Sequence, residues 1–212
     1  MSELFVLTER PSVYLASKSP RRQELLRQLG VEFDELLLRE APGRRRDIVE
    51  APRDGEPPLE YVKRIARLKA SLGWHRMGRR GLAPKPVLAA DTEVVLDGAA
   101  LGKPADAAAS VAMLAALSGR THEVITAVAI RWQTQIAQAV STSHVTFRAI
   151  AHDEIERYVA TGEPFDKAGG YAIQGKAAAF VQHLEGSYSG VMGLPLYETS
   201  QLLEKMRGRN PH

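Results

Sequence analysis

The chain has 212 residues, of which 44% are hydrophobic and 25% are charged, a composition typical of a globular protein rather than a disordered or fibrous one. It contains no cysteine, which excludes a disulfide framework, a thiolate zinc site, an iron–sulfur cluster and a cysteine nucleophile. The net charge is +3 and only 6% of the residues are aromatic. These values favour small anionic ligands over nucleic acids, because single-strand binding needs a platform of stacking rings.

The N-terminal residues do not have the pattern of a targeting segment. Glu3, Glu9 and Arg10 interrupt the apolar core that a signal peptide needs. No later stretch reaches the roughly 18 uncharged apolar residues of a membrane-spanning helix. We therefore expect a cytoplasmic protein without a membrane partner, built as one domain of two lobes over residues 1–212, with residues 1–11 and 208–212 as flexible tails.

Strand-like and helical patterns alternate along the chain, which predicts an α/β fold. A loop at residues 39–58 is rich in proline, glycine and charge, and loops of this length in compact domains are commonly functional or mobile. In chain order, the predicted elements are a strand at 13–17, a helix at 20–29, a strand at 33–38, a helix from 59 to about 73, strands at 87–91 and 93–96, a helix at 105–117, a β-hairpin of 123–132 and 137–149, a helix at 153–160, a strand at 178–184 and a helix at 196–206.

The start of the first helix carries an unusual pair of charges. Ser19 as the N-cap residue and Pro20 as the first helical residue are the expected beginning of a helix. Arg21 and Arg22 follow directly, although the positive end of the helix dipole disfavours cations in the first turn. Together with the hydroxyls of Ser17 and Ser19, this helix end would form a phosphate cradle. The alternative is a surface helix whose arginines point into water.

A second anomaly lies in the helix that begins at residue 59. Its apolar stripe includes Val62 and Ile65, and at about 100° per residue Lys69 falls between them on the inward face. A cation there either serves a buried site or packs its aliphatic stem and extends its ammonium group to solvent at the helix end.

The third anomaly is an acidic residue at the end of an apolar strand. Asp91 follows four apolar residues and precedes Thr92, Glu93 and another apolar run. A carboxylate at the edge of a buried strand must be paired, hydrogen-bonded or bound to a metal. Alternation places Asp91 and Glu93 on the same side of an extended strand, where they could share a divalent ion. The alternative is a turn aspartate bonded to nearby backbone N–H groups.

Six short motifs occur in order over nearly the whole chain. They are LASKSPRR at 15–22, ADT at 90–92, LGKP at 101–104, LSGRTH at 117–122, DKAGGYAIQG at 166–175 and GLP at 193–195. Together they resemble the Maf family of nucleoside triphosphate pyrophosphatases. The resemblance implies a fold of the Maf and ITPase type, a two-lobed α/β structure with a mixed sheet, flanking helices and a central cleft.

Three positions within these motifs distinguish branches of that family. The sequence has Arg21, Thr92 and Gln174 at the places that mark the branch acting on dTTP and UTP. The branch acting on 7-methyl-GTP typically has tryptophan, glutamine and glutamate there. The chain therefore resembles the dTTP/UTP pyrophosphatase branch more closely.

The resemblance implies a role for each of the unusual residues. Asp91 is implied to be the general base, with Lys69 and Lys103 as further catalytic residues. The residues implied to bind the substrate are Ser17, Ser19, Arg21, Arg22, Thr92 and Gln174. A divalent metal cation, Mg²⁺ or Mn²⁺, is implied to be held by Asp91 and Glu50, and Asp47 and Asp54 of the same loop stay open as alternatives to Glu50.

The implied function is hydrolysis of dTTP or UTP, or of a modified pyrimidine nucleotide, to the nucleoside monophosphate and pyrophosphate in a house-cleaning role. The expected partner is a small nucleoside triphosphate and not a nucleic acid. The alternatives are a purine or modified-nucleotide substrate, a regulator of septum formation that uses nucleotide binding, and a nucleic-acid binder acting through the basic residues 44–46. The oligomeric state stays open, with a homodimer as one expectation.

Overall fold

A computed structural model of the protein describes residues 11–38 and 50–207. The terminal tails apart from Pro11 lie outside the described residues. So do residues 39–49 of the predicted loop, which include the alternative metal ligand Asp47 and the basic residues 44–46. Within the described ranges, no helix combines the length and the hydropathy that crossing a membrane requires.

Seven strands form one mixed sheet. They are β1 (Ser12–Leu15), β2 (Glu32–Glu35), β3 (Val87–Leu96), β4 (Ala99–Ala100), β5 (Thr121–Trp132), β6 (Gln135–Phe147) and β7 (Val181–Glu185). The strand order is β2-β1-β3-β5-β6-β7, and β4 pairs with β3. Strand β1 is parallel to β2 and β3, whereas the other pairs are antiparallel.

Helices cover both faces of this sheet. They are α1 (Pro20–Gln28), α2 (Pro58–Arg79), α3 (Ala107–Leu117), α4 (His152–Ala160), α5 (Tyr188–Met192) and α6 (Leu196–Arg207), with 3-10 turns at Ala168–Gly170 and Lys176–Phe180. Helix α2 packs on one face, and buried residues of the other five helices join a larger core on the opposite face. The predicted α/β fold with a mixed sheet and flanking helices is confirmed.

Strand β3 contributes side chains to both faces. Val87 and Ala89 pack toward α2, whereas Leu88 and Ala90 belong to the core on the other side. Because side chains alternate along a strand, Asp91 continues the series that faces α2, and Thr92 continues the opposite series. The side chains of the two adjacent polar residues of the ADT motif therefore lie on opposite faces of the sheet.

Helix α2 is longer than the sequence predicts. The sequence predicts its end near Gly73, but the helix continues to Arg79. Gly73 is buried within it, where an added Cβ would lie 2.7 Å from Cγ1 of Val87. The glycine therefore allows α2 to approach β3 closely, instead of ending the helix.

The C-terminal third also differs from the predicted elements. The strand predicted at 178–184 begins as a 3-10 turn at Lys176–Phe180 and becomes β7 only at Val181. Helix α5 was not predicted because it has five residues, too few for helical periodicity to show. Its ends do carry sequence signals, since Ser187 Oγ accepts the N–H of Gly190 at 3.0 Å and Gly193 has a φ of 112°.

Two glycines of α2 allow a matched test of this packing. We expect Gly73→Ala to lower the free energy of unfolding by about 1–2 kcal/mol, since overpacking against Val87 outweighs the gain in helix propensity. Gly78→Ala meets no atom within 4 Å and should raise that free energy by roughly 0.5 kcal/mol. Urea unfolding of both variants measures the difference, and a Gly73→Ala protein as stable as the unmodified chain would contradict the close approach.

Candidate active site

All ten site residues selected from the sequence line one cleft. Its volume is about 1590 Å³. The ten residues are Ser17, Ser19, Arg21, Arg22, Glu50, Lys69, Asp91, Thr92, Lys103 and Gln174. They come from α1, α2, β3 and the loops around them, so the fold brings together residues that are far apart in the sequence.

The floor of the cleft is a buried carboxylate with a cation beside it. Asp91 is 7% exposed, and Lys69 Nζ donates to its Oδ1 at 2.8 Å. The same ammonium lies 2.8 Å from Oε2 of Glu50. The ammonium group of Lys69 therefore contacts two carboxylates. The alternative in which Lys69 extends its ammonium group into solvent is wrong.

Burial dominates the electrostatics of Asp91. It raises the pKa of the Asp91 carboxyl above its ordinary value, and the charges of Lys69 and Arg22 lower the pKa again in part, while Glu50 adds to the increase. A carboxylate with a raised pKa is a better proton acceptor than an exposed one. The position is therefore suited to general-base chemistry.

Arg22 connects three parts of the chain. Its Nε donates to the carbonyl oxygen of Gly193 at 2.8 Å, its Nη1 to Ser17 Oγ at 3.2 Å and its Nη2 to Thr92 Oγ1 at 3.4 Å. Burial lowers the pKa of Arg22, and the nearby Asp91 charge opposes that change. The guanidinium thus links α1 to β3 and to the residue after α5, in addition to the phosphate-binding role predicted for it.

The hydroxyls around α1 are arranged differently from the predicted cap. Ser19 is the N-cap residue, as expected, but its side chain makes no capping hydrogen bond. Instead, the Ser19 N–H donates to Ser17 Oγ at 3.1 Å. Thr92 Oγ1 lies 2.9 Å from Thr126 Oγ1, and Thr126 donates to the carbonyl oxygen of Gly190 at 2.8 Å. The structure therefore places Thr92 in the network that holds Arg22, on the face of the sheet opposite to Asp91.

A glycine turn positions Lys103 at the rim of the cleft. The N–H of Gly102 donates to Glu93 Oε1 at 2.9 Å, and Glu93 is itself only 7% exposed. Burial raises the pKa of Glu93, the Gly102 N–H lowers it, and Asp91 raises it. Lys103 follows this turn directly and is exposed, so its ammonium is available to a ligand in the cleft.

The cleft also contains a cation that sequence reasoning missed. Lys167 donates to the carbonyl oxygens of Glu163 and Phe165 and lines the cleft together with Arg21. Burial and the charge of Arg21 lower the pKa of Lys167, and burial also lowers the pKa of Arg21. Lys167 lies in the DKAGGYAIQG motif, directly after Asp166 and shortly before Gly169 and Gly170. Its place in this motif was the sequence signal that could have identified it as a candidate site residue.

Contacts with Glu163 hold the segment that follows Gln174. The Glu163 carboxylate accepts the hydroxyl of Tyr158 at 3.0 Å and the N–H groups of Lys176 and Ala177 at 3.1 and 3.4 Å. An added Cβ at Gly175 would lie 2.4 Å from Glu163 Oε1. These contacts hold the backbone that follows Gln174, whose side chain is exposed and lines the cleft.

The predicted metal ligands meet at Lys69. Among the described residues, no group of three histidine, cysteine or acidic side chains is arranged to hold a metal ion. Glu50 and Asp91 nevertheless converge on one ammonium at 2.8 Å each, and Mg²⁺ is commonly bound by one or two carboxylates plus phosphate oxygens of the substrate. The two acids fit such a shared site. Asp54, the other described alternative, is exposed and is not among the residues that line the cleft.

Comparison with known proteins shows the family of the chain. A family model described as Maf-like protein matches residues 12–206. The dTTP/UTP pyrophosphatase of Nitrosomonas europaea is 55% identical over 193 residues, covering 91% of this chain and 93% of that protein. The proteins of the same name from Cupriavidus metallidurans and Burkholderia pseudomallei are 56% and 54% identical, each covering 91% of this chain and 96% and 92% of their own length.

A solved structure gives a likeness in fold. The Staphylococcus aureus Ham1 protein has a TM-score of 0.50 and 12% sequence identity, covering 94% of this chain and all 100% of that one. At this identity the likeness concerns the fold alone, and it agrees with the mixed sheet flanked by helices. The family match, in contrast, extends from β1 to α6 and includes every residue that lines the cleft. The chain belongs to the Maf family.

Proposed function

We propose that this protein is a nucleoside triphosphate pyrophosphatase that hydrolyses dTTP and UTP to the nucleoside monophosphate and pyrophosphate. Relatives more than half identical over nine-tenths of the chain carry the name dTTP/UTP pyrophosphatase. The observation that carries the proposal is the convergence of a buried carboxylate, Asp91, with cations from α1 and α2 in one large cleft.

Asp91 is the general base in this proposal. It takes a proton from a water molecule whose oxygen attacks the α-phosphorus. A bond forms between that oxygen and phosphorus as the bond from the α-phosphorus to the bridging oxygen breaks, and pyrophosphate leaves with the bridging oxygen. Such a reaction depends on alignment and charge neutralisation more than on a covalent nucleophile, which agrees with a site that contains no cysteine.

The cations of the cleft stabilise the charge that develops on the phosphoryl oxygens. Lys69 lies nearest to Asp91, Lys103 lies at the rim, and Arg21 lies at the start of α1. Preorganised donors of this kind contribute roughly 2–4 kcal/mol each to the transition state. The free N–H groups at the start of α1 add a neutral anion-binding surface beside them.

Asp91 and Glu50 are the residues that would hold a divalent cation, Mg²⁺ or Mn²⁺. When bound, the cation would neutralise phosphate charge and polarise the phosphoryl oxygens. Gln174 would contact the base, since its amide has both a donor and an acceptor to match the N3–H and O4 groups of uracil and thymine. The contacts of Glu163 with the N–H groups of Lys176 and Ala177 hold the backbone that follows Gln174.

A panel of nucleoside triphosphates tests this function. We expect pyrophosphate release with Mg²⁺ to be fastest for dTTP and UTP, because the Gln174 amide offers a donor and an acceptor that match the N3–H and O4 groups of thymine and uracil. Faster release from a purine triphosphate would favour the purine alternative. A folded protein that releases no pyrophosphate from any member of the panel would contradict the proposal and favour a regulatory role.

A further inference from the structure

The ammonium group of Lys69 occupies the place between the two acids that fit a divalent cation. We propose that Lys69 neutralises Asp91 and Glu50 in the free enzyme and is displaced from them by a divalent cation that arrives with the nucleoside triphosphate. This inference rests on the proposed function and concerns the order in which its ligands bind.

The distances support direct competition for the same oxygens. Lys69 Nζ is 2.8 Å from Asp91 Oδ1 and 2.8 Å from Glu50 Oε2, so one ammonium bridges both carboxylates. A cation bound by both acids would occupy nearly the same point in space. Since like charges in close contact repel strongly where water is scarce, the ammonium and a divalent cation cannot share that point.

The charge balance explains why the free enzyme needs the lysine. Asp91 and Glu93 are each 7% exposed, and Glu50 approaches them from the loop before α2. A buried carboxylate without a partner is costly, and Lys69 is the cation whose ammonium lies in contact with two members of this cluster. Its single positive charge balances only one of the two carboxylates that it contacts, so the two charges of a divalent cation would match this pair better.

The lysine has both the length and the surroundings to move. Its ammonium sits on a flexible four-carbon stem that extends from α2 into the same cleft as Lys103 and Arg21. Triphosphate oxygens entering the cleft would offer the ammonium new anionic partners as the cation takes the carboxylates. After the exchange the two carboxylates contact the divalent cation and the Lys69 ammonium contacts phosphate oxygens, so neither the acids nor the lysine loses a partner of opposite charge.

The proposal predicts weak metal binding without nucleotide and a specific way to strengthen it. An adjacent cation lowers the pKa of a carboxyl group by about 1–3. For the same electrostatic reason, it lowers the affinity of that carboxylate for a metal cation. We expect Lys69→Met and Lys69→Gln to bind Mn²⁺ alone at least about tenfold more tightly than the unmodified protein at pH 8. Titration followed by electron paramagnetic resonance of free Mn²⁺ measures this without any catalytic step.

Three controls test whether the gain in Mn²⁺ affinity arises from the loss of Lys69 beside the two acids. Lys63→Met changes a lysine of the same helix that pairs with Glu60 and should leave Mn²⁺ affinity unchanged. Adding Asp91→Asn to Lys69→Met should remove the gain, because it removes a charged ligand. Circular dichroism verifies folding, and either substitution at Lys69 suffices if the other misfolds.

The outcome separates this inference from the proposed function. If both Lys69 variants bind Mn²⁺ no more tightly than the unmodified protein, the exchange proposal is overturned, even if dTTP and UTP are hydrolysed. If the affinity gain is present but the unmodified protein hydrolyses no triphosphate, the competition at the acids stands and the proposed function fails.

Discussion

Replacement of Asp91 by asparagine is expected to reduce turnover of dTTP and UTP by at least about a hundredfold, since general-base catalysis is typically worth 10² to 10⁴. The amide cannot take a proton from the attacking water. It can still accept a hydrogen bond from Lys69, and it removes a buried charge that burial disfavours. We therefore expect the variant to stay folded, so that the loss reports on chemistry rather than on stability.

Asp97→Asn is the matched control for this substitution. Asp97 lies in the turn between β3 and β4, is exposed and pairs with Arg120. Its φ of 51° is a left-handed conformation that asparagine also tolerates. Steady-state kinetics and urea unfolding should show nearly unchanged values for Asp97→Asn. Near-normal turnover of the Asp91→Asn protein would refute the role of Asp91 as the base.

The position of the site follows from one dipeptide of the central strand. Asp91 faces α2 and meets Lys69, whereas Thr92 faces the opposite side and meets Arg22. Because β3 lies between β1 and β5 in the sheet, its polar pair is close to α1 on one side and to α2 on the other. The cleft can therefore draw cations from both helices without any long excursion of the chain.

The local anomalies of the sequence predicted the contents of the cleft better than its geometry. Lys69 and Asp91 were each out of place on an apolar pattern, and the structure places their charged atoms 2.8 Å apart. Neither anomaly alone could reveal the other as its partner, because the pairing depends on how α2 crosses β3. The close approach that allows this crossing depends on Gly73, a residue whose type suggests a helix end when the sequence is considered alone.

The long-range contacts of Arg22 also could not be predicted from the local sequence. Its place after Ser19 and Pro20 indicated an anion site, and nothing local indicated that its Nε would donate to Gly193, 171 residues later. Lys167 and Glu163 were missed for a similar reason. Lys167 lies close enough to Arg21 for the two positive charges to interact, and Glu163 accepts the backbone N–H of Lys176. Only the folded chain brings these groups near each other.

Arg22→Lys is expected to have the second large effect, on both stability and activity. A lysine keeps the charge but cannot reproduce the planar fork that reaches Gly193, Ser17 and Thr92 together. Loss of hydrogen bonds from a charged, partly buried group costs about 1–3 kcal/mol, and we expect a decrease of that size in the free energy of unfolding. We also expect kcat/KM for dTTP and UTP to fall by at least about a hundredfold, because α1 and β3 lose their common anchor beside the reacting phosphates.

The control for this prediction lies in the same helix. Arg27 is exposed, and its Nη2 lies 3.5 Å from Gln23 Oε1, so Arg27→Lys should change stability by less than about 0.5 kcal/mol and leave kinetics unaltered. Urea unfolding and steady-state kinetics on the same preparations separate the two contributions of Arg22. A stability loss with unchanged kcat/KM would assign Arg22 to the tertiary network alone, and phosphate binding would then depend on other cations that line the cleft, among them Arg21, Lys69 and Lys103.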